Sequence, residues 1–378
     1  MVSLARRNLL HDKLRFAITV TGVSFAVTLV FVQVGLFLGL LDNASVTIDH
    51  IGADLWVTSR NTPNVDFSHT FPETLVQRVR SVPGVARADN LIVWFMQIAL
   101  PNGAQEGIVT YALEDFRAWG IPWDVKEGNL DDLKRGDFLF LDGSAEQRFG
   151  AFKVGEYREV LERRLKIIGR SEKALSFTTT PMAFIDYRRA QELSRESLQG
   201  RTTYVLVKLA RGADAARIAA AKAEIARRLP HNDVYTRAEW ASKTRSYWVS
   251  STGIGMNMYL TVFLGILVGT VVVAQTLYTS TMEHIKEFGT VKAIGGSNAD
   301  IYRILAEQAV IAAVAGFVVG AAMAAATSPL MERIHLKLIV PPPLAGAVFL
   351  GTLVLCLAAS MVSFRKVASI DPALVFRG

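Results

Sequence analysis

The sequence predicts an α-helical membrane protein with four transmembrane helices and a large mixed α/β extracytoplasmic domain inserted between helices 1 and 2. Three observations predict it. Apolar runs of about 20 residues, long enough to cross hydrocarbon as a helix, recur at residues 16–41, 254–282, 308–331 and 344–364. The chain is 51% hydrophobic yet 20% charged, too apolar for one soluble domain and too charged for a bare helix bundle, so it divides between two solvents. The net charge of +7 is unevenly placed. Residues 42–252 nearly balance acid and base, whereas Arg6, Arg7, Lys13 and Arg15 precede the first run, Lys286, Lys292 and Arg303 lie between the second and third, and Arg365, Lys366 and Arg377 follow the fourth. Basic flanks mark the cytosolic side of a span. The excess charge is therefore a topology signal, which argues against a nucleic-acid face and places residues 42–252 outside.

Residues 1–15 put Leu4, Leu10 and Leu14 near one helical face and the basic residues on the other. Two readings stay open, a cytosolic amphipathic segment on the membrane surface and a charged flank that only fixes topology. The run at 16–41 is too long for a cleavable signal and predicts a retained anchor, transmembrane helix 1. The external domain at 42–252 holds no cysteine, because Cys356 lies in the fourth run, so it folds without a disulfide. Alternating or β-branched stretches predict strands over 53–59, 91–100, 106–113, 138–141, 165–168, 182–185 and 202–209. Helical periodicity marks 72–81, 187–195, 213–229 and 237–248, the last expected to run on into the second span. Ser81-Val82-Pro83-Gly84-Val85 predicts a helix-to-strand turn. The basic run from Arg158 to Lys173, interleaved with Glu159 and Glu162, predicts a solvated face or, alternatively, a contact with anionic lipid or a protein partner.

Transmembrane helix 2 occupies 253–282 and helix 3 occupies 304–331, with a cytosolic connection at 283–303. Glu283, Lys286 and Glu287 oppose Ile285, Phe288, Val291 and Ile294 there, a pattern that suits a short helix lying in a partner's groove. Gly295-Gly296 breaks that helix, and Ser297-Asn298-Ala299-Asp300 predicts a capping box that opens helix 3. Thr327-Ser328-Pro329 predicts its end, a short periplasmic loop follows at 332–343, and Pro341-Pro342-Pro343 leads into helix 4 at 344–364, with a cytosolic tail at 365–378. Small residues four apart let helices approach closely in lipid. They occur as Gly35 and Gly39, Gly265 and Gly269, and Gly316 and Gly320. Packing within one subunit and packing between two both remain open. Gln33, Asn257 and Gln275 are expected to face protein or water rather than lipid.

Catalytic constellations are missing from the sequence. There is no phosphate-loop glycine motif, no His-Glu-x-x-His, no Cys pair and no Gly-x-Ser-x-Gly elbow, and the six histidines stand singly. A non-enzymatic protein without metal or cofactor of its own is expected.

The stretch Glu287-Phe288-Gly289-Thr290-Val291-Lys292-Ala293-Ile294-Gly295 resembles the cytosolic coupling segment of ABC transporter permeases of the FtsX, MacB and LolC/LolE group, where Glu-x-Gly-x-x-(Lys/Arg)-Ala-(Ile/Leu)-Gly recurs. Phe288 stands here where the general form has Ile. FPETLVQRVRSVPGVARA and Ile370-Asp371-Pro372-Ala373 resemble that group's external helix-turn and closing tail. Within it, FAVTLVFVQVG, IGADLWVTS, LPHNDVYTRAEW and YWVSSTGIG resemble DevC-type permeases of glycolipid exporters. The resemblance implies an inner-membrane homodimer coupled to a separate ATPase that binds ATP and Mg, through Glu283, His284, Lys286, Glu287, Phe288, Gly289, Val291 and Lys292. It further implies a periplasmic adaptor, an outer-membrane channel and export of an amphiphile. FtsX-like signalling to an envelope hydrolase and LolC/LolE-like lipoprotein release are the alternatives. Unlike MacB, the sequence given starts at the first span rather than with a fused ATPase.

The topology is testable with cysteines placed at Asn102, in the Pro101-Asn102-Gly103 turn, and at Ser297. An impermeant thiol reagent applied to spheroplasts should label position 102 and spare 297; the reverse pattern would invert the protein.

Overall fold

The computed structural model describes residues 13–177, 180–283, 285, 287, 289–290, 294, 296–333 and 336–368. The N-terminal segment before Lys13 and the tail beyond 368 thus lie outside the described residues. Two compact units are present, Met1–Gly39 with Met256–Gly378, and Leu40–Gly255. The first contains four long apolar helices, Lys13–His50, Gly253–Glu283, Asn298–Arg333 and Pro342–Ala368. All four outrun the expected spans, the first and third by most. The helix begun by the first span continues past 41 to His50, and the third continues through Thr327-Ser328-Pro329 to Arg333. Proline so close to a helix end removes one backbone hydrogen bond without stopping the last turn. The capping box is present at the third helix: Ser297 N–H donates to Asp300 Oδ2 (2.9 Å) and Asp300 N–H to Ser297 Oγ (3.2 Å).

The external unit is a mixed α/β domain. Its strands are β1 (Leu55–Ser59), β2 (Phe71–Pro72), β3 (Val85–Ala99), β4 (Gln105–Leu113), β5 (Val125–Glu127), β6 (Phe138–Asp142), β7 (Tyr157–Val160), β8 (Arg163–Ser171), β9 (Met182–Asp186), β10 (Arg201–Thr202), β11 (Tyr204–Leu209) and β12 (Asn232–Thr236). Ten of them form one sheet, in the order β12-β1-β11-β3-β4-β9-β6-β8-β5 with β7 bridging β3 and β8. The 15-residue β3 is its spine. Its first half pairs with β11 and its second half with β4, so one strand joins two lobes. Helices Leu75–Arg80 and Ala215–Arg228 bury Val76, Val79, Ala221 and Ile225 against Leu55, Val57, Val205 and Val207. The turn between Arg80 and β3 has Gly84 at φ 88°, a left-handed angle that favours glycine.

β2, β5, β7 and β12 were absent from the pattern-based expectation. β2, β5 and β7 have 2, 3 and 4 residues, β5 is exposed throughout, and β12 buries only Val234, so none carries the run of alternating apolar residues that marks a half-buried strand. The basic run spans β7 and β8: Arg163 and Arg164 are exposed, with Arg164 over the Tyr157 ring at 4.5 Å. Arg158 departs from the solvated reading, being buried and paired with Glu156 at 3.1 Å.

Two segments of this unit continue directly into membrane helices. Ala44, Ser45, Thr47 and Ile48 of the first are buried, and Tyr111 Oη donates to Thr47 Oγ1 (3.1 Å). Arg245, on the helix Arg237–Ser250, donates to Ser45 Oγ (2.6 Å) and lies 3.6 Å from Asp49, tying the two segments together. The second segment corrects the expected continuous rod. Its helix ends at Ser250, and a new one starts at Gly253. Ser250 and Thr252 hydroxyls bond back to the Ser246 and Trp248 carbonyls (both 2.6 Å), competing with the helix ladder. At Gly255 an added methyl would lie 2.1 Å from the Val249 oxygen, a close approach that only glycine permits.

Below β4 and β11 the core holds an unusual acid. Asp66 is 5% exposed, its backbone N–H donates to Asn64 Oδ1 (2.9 Å), and its neighbours include the Tyr111 and Tyr204 phenols. Burial pushes its carboxyl up to about 7. An unfolded Asp titrates near ~3.9, so the folded domain binds the proton more tightly. The resulting stability is complete below that unfolded value and is lost as pH rises through about 7. Asp66→Asn should therefore flatten a stability loss of roughly 2–3 kcal/mol between pH 5 and pH 8, followed by tryptophan fluorescence during unfolding. An unchanged pH profile would contradict the assignment.

Candidate coupling segment and membrane-helix packing

The segment predicted to meet a cytosolic partner follows the second membrane helix. Glu283 is that helix's last residue, and Ile285, Glu287, Gly289 and Thr290 beyond it remain helical. Glu283 and Glu287 are exposed, Gly289 is buried, and Ile294, whose N–H reaches the Thr290 carbonyl at 3.1 Å, is 81% exposed. An exposed carboxylate face beside an exposed isoleucine is the combination an amphipathic docking segment presents. His284, Lys286, Phe288, Val291 and Lys292 lie outside the described residues. Among the described residues no cluster of His, Cys, Asp or Glu could hold a metal ion.

The six glycines all sit at contacts inside the helical unit. A methyl group at Gly265 would lie 2.6 Å from Leu29, and one at Gly269 2.5 Å from Ala26, so both face the first helix. Gly316 and Gly320 meet the same helix from the third, at Val23 (2.4 Å), Ser24 and Val27 (both 2.8 Å). Gly35 and Gly39 of the first helix back onto the segment before the fourth, where the Lys337 oxygen would lie 1.8 Å from a methyl at Gly39. The absent side chains expose backbone, and neighbouring groups use it. Ser24 Oγ donates to the Gly316 carbonyl (3.1 Å), Thr28 Oγ1 to the Gly320 carbonyl (3.1 Å), and Ile339 N–H to the Gly35 carbonyl (3.1 Å). Ser24, Thr28 and Gly22, which meets Val272, escaped the sequence reading. Their signal is small residues four apart: Gly22 with Ala26, and Ser24 with Thr28.

Gln33 is half-buried, whereas Asn257 and Gln275 are exposed on the second helix. That helix also exposes Met256, Tyr259, Phe263 and Val271. Between the first, second and fourth helices lies a cavity of about 300 Å³ lined by Val27, Val30, Ile266, Val348, Leu355 and Cys356 among others. Its Thr270 and Thr352 hydroxyls are satisfied by the Ile266 and Val348 carbonyls (2.7 and 2.8 Å), so its wall is effectively hydrocarbon.

A pair of substitutions tests the packing. Gly316→Leu must part the first and third helices and should cost roughly 1–3 kcal/mol, whereas Gly346→Leu, with open space around it, should be nearly neutral. Thermal unfolding of the purified chain in detergent reads both. Equal effects would refute the packing account.

Comparison with known proteins agrees with this two-part layout. The family described as MacB-like periplasmic core domain matches residues 16–227, and the family described as FtsX-like permease C-terminal matches residues 259–372. An uncharacterized ABC transporter permease of Mycobacterium tuberculosis is 26% identical over the full length of both chains. One of Mycobacterium bovis is 27% identical over 97% of this chain and 96% of its own. Among solved structures, the periplasmic region of MacB from Actinobacillus actinomycetemcomitans aligns with a TM-score of 0.40 at 12% identity, covering 55% of this chain and 97% of that one. With a MacB-like core domain matched over more than half of its length and an FtsX-like region behind it, the chain belongs to the FtsX/MacB-type ABC transporter permeases.

Proposed function

We propose that the chain is the permease subunit of an exporter in the bacterial inner membrane, with its large domain in the periplasm. A permease of an ABC transporter implies a separate ATPase, which binds ATP and Mg. Hydrolysis there moves the segment 283–292, and the first and second helices carry that movement to the periplasmic domain. The observation that carries the reading is the Glu287–Gly295 core, set between two spans on the side with basic flanks. The cargo proposed is an amphiphile, a lipid or glycolipid as in DevC-type exporters, passed on through a periplasmic adaptor and an outer-membrane channel. The hydrocarbon-lined cavity supports an apolar moiety.

The second helix supports the proposal of a homodimer. Its six-residue face of Met256, Asn257, Tyr259, Phe263, Val271 and Gln275 is exposed, and intramembrane amides are costly against lipid. With Gly265 and Gly269 facing the first helix of the same chain, the dimer would use this outward face.

Phe288 is the proposed anchor in the ATPase groove, with Glu283, Glu287 and Lys292 at the rim. Buried aromatic anchors carry about 2 kcal/mol or more, rim charges less. Phe288→Ala should weaken ATPase co-purification by about 30-fold and depress stimulated ATP hydrolysis and export, while the permease stays folded and dimeric. Glu287→Lys should act in the same direction and more weakly. Normal ATPase binding and export in both variants would sink the coupling role. Normal binding with intact ATPase stimulation but no exported amphiphile would favour the signalling alternative.

A further inference from the structure

The external domain exposes two phenylalanines side by side, Phe67 before β3 and Phe95 on it, each 41% exposed with ring centroids 6.3 Å apart. An isolated exposed apolar residue is ordinary. These two belong to a larger aromatic group: Phe67 meets Tyr247 at 6.0 Å and Trp248 at 5.8 Å, and Trp248 stacks on Phe177 at 4.0 Å. Leu40, Leu41 and Ala44 pack against the same group.

Chain continuity fixes the height of this group relative to the bilayer. Leu40 and Leu41 are the last residues of the apolar run that forms the first span, in an unbroken helix that rises about 1.5 Å per residue. On the other side, Trp248 precedes the first residue of the second membrane helix, Gly253, by only a few positions. Both connections leave the hydrocarbon at the aromatic group, and amphipathic rings favour that boundary. Phe67 is held to it by direct ring contact and Phe95 through Phe67, yet among the described residues both rings keep exposed outward faces. We infer that Phe67 and Phe95 form a membrane-contact surface of the external domain, with their rings seated in the headgroup–acyl boundary of the outer leaflet. The partner is the lipid surface. The inference goes beyond the exporter reading and holds equally if the permease signals rather than transports.

Spin labels attached at Phe95→Cys and, separately, Phe67→Cys in a Cys356→Ser background test it, with the full chain in nanodiscs of phosphatidylethanolamine and phosphatidylglycerol. Tyr157→Cys, at an exposed tyrosine on β7, is the aqueous reference. Power saturation should give an oxygen-to-nickel-chelate accessibility ratio several-fold higher at 95 and 67 than at 157. A ratio at both positions equal to that at 157 would overturn the inference. So would exclusion of both reagents, which would mean that protein rather than lipid covers the surface. Retained thermal unfolding temperatures for the labelled variants establish that the domain is intact.

Discussion

Helices in hydrocarbon gain nothing by hiding apolar surface from their surroundings, because lipid tails are as apolar as leucine. What remains is close contact and polar bonding, and in this protein the two are the same event. Where glycine removes a side chain, a neighbour comes within van der Waals distance of the backbone, and its hydroxyl or amide reaches a carbonyl that is already engaged in the helix ladder. Ser24 with Gly316, Thr28 with Gly320, and Ile339 with Gly35 repeat the arrangement along the first helix. The first helix is therefore the hub of its unit, with the second and third helices and the lead-in to the fourth all seated on it.

The external domain obeys a different solvent and holds together differently. Trp56, Trp119, Trp240, Tyr111 and Tyr204 are fully buried, and apolar burial in water supplies what a disulfide-free domain needs. Such a core tolerates one deliberate misfit. Asp66 sits among phenols with burial alone setting its proton affinity, so this group couples the stability of the domain to the acidity of its compartment.

Composition, run length and flanking charge made the four spans and the inserted domain legible, because the bilayer imposes length and polarity on every helix that crosses it. The well-buried strands were legible for the same kind of reason: β4 and β9 bury their residues almost continuously. Short strands such as β5 and β12 are fixed by pairing with distant partners, Ser171 and Leu55 among them, which local pattern does not encode. The glycine pairs could be read as packing sites but not assigned a partner, since a single sequence does not say which helix lies opposite. Ser24 and Thr28 were hidden because a serine in a span looks alike whether it bonds its own helix or another. The continuous rod failed on four consecutive residues, Ser250 to Gly253, whose poor helix propensity was outvoted by the apolar periodicity on either side.

That interruption gives the domain two unlike tethers. One is a single uninterrupted helix from Lys13 to His50, stiff against bending over its whole length. The other carries a two-residue joint at Ser251 and Thr252: Ser251 N–H still closes onto the Tyr247 carbonyl (2.9 Å), the Thr252 hydroxyl turns back to the Trp248 carbonyl, and a new helix starts at Gly253. Under the proposed coupling, a load applied along both would not divide equally: the unbroken member would transmit it, and the jointed member would absorb it as rotation.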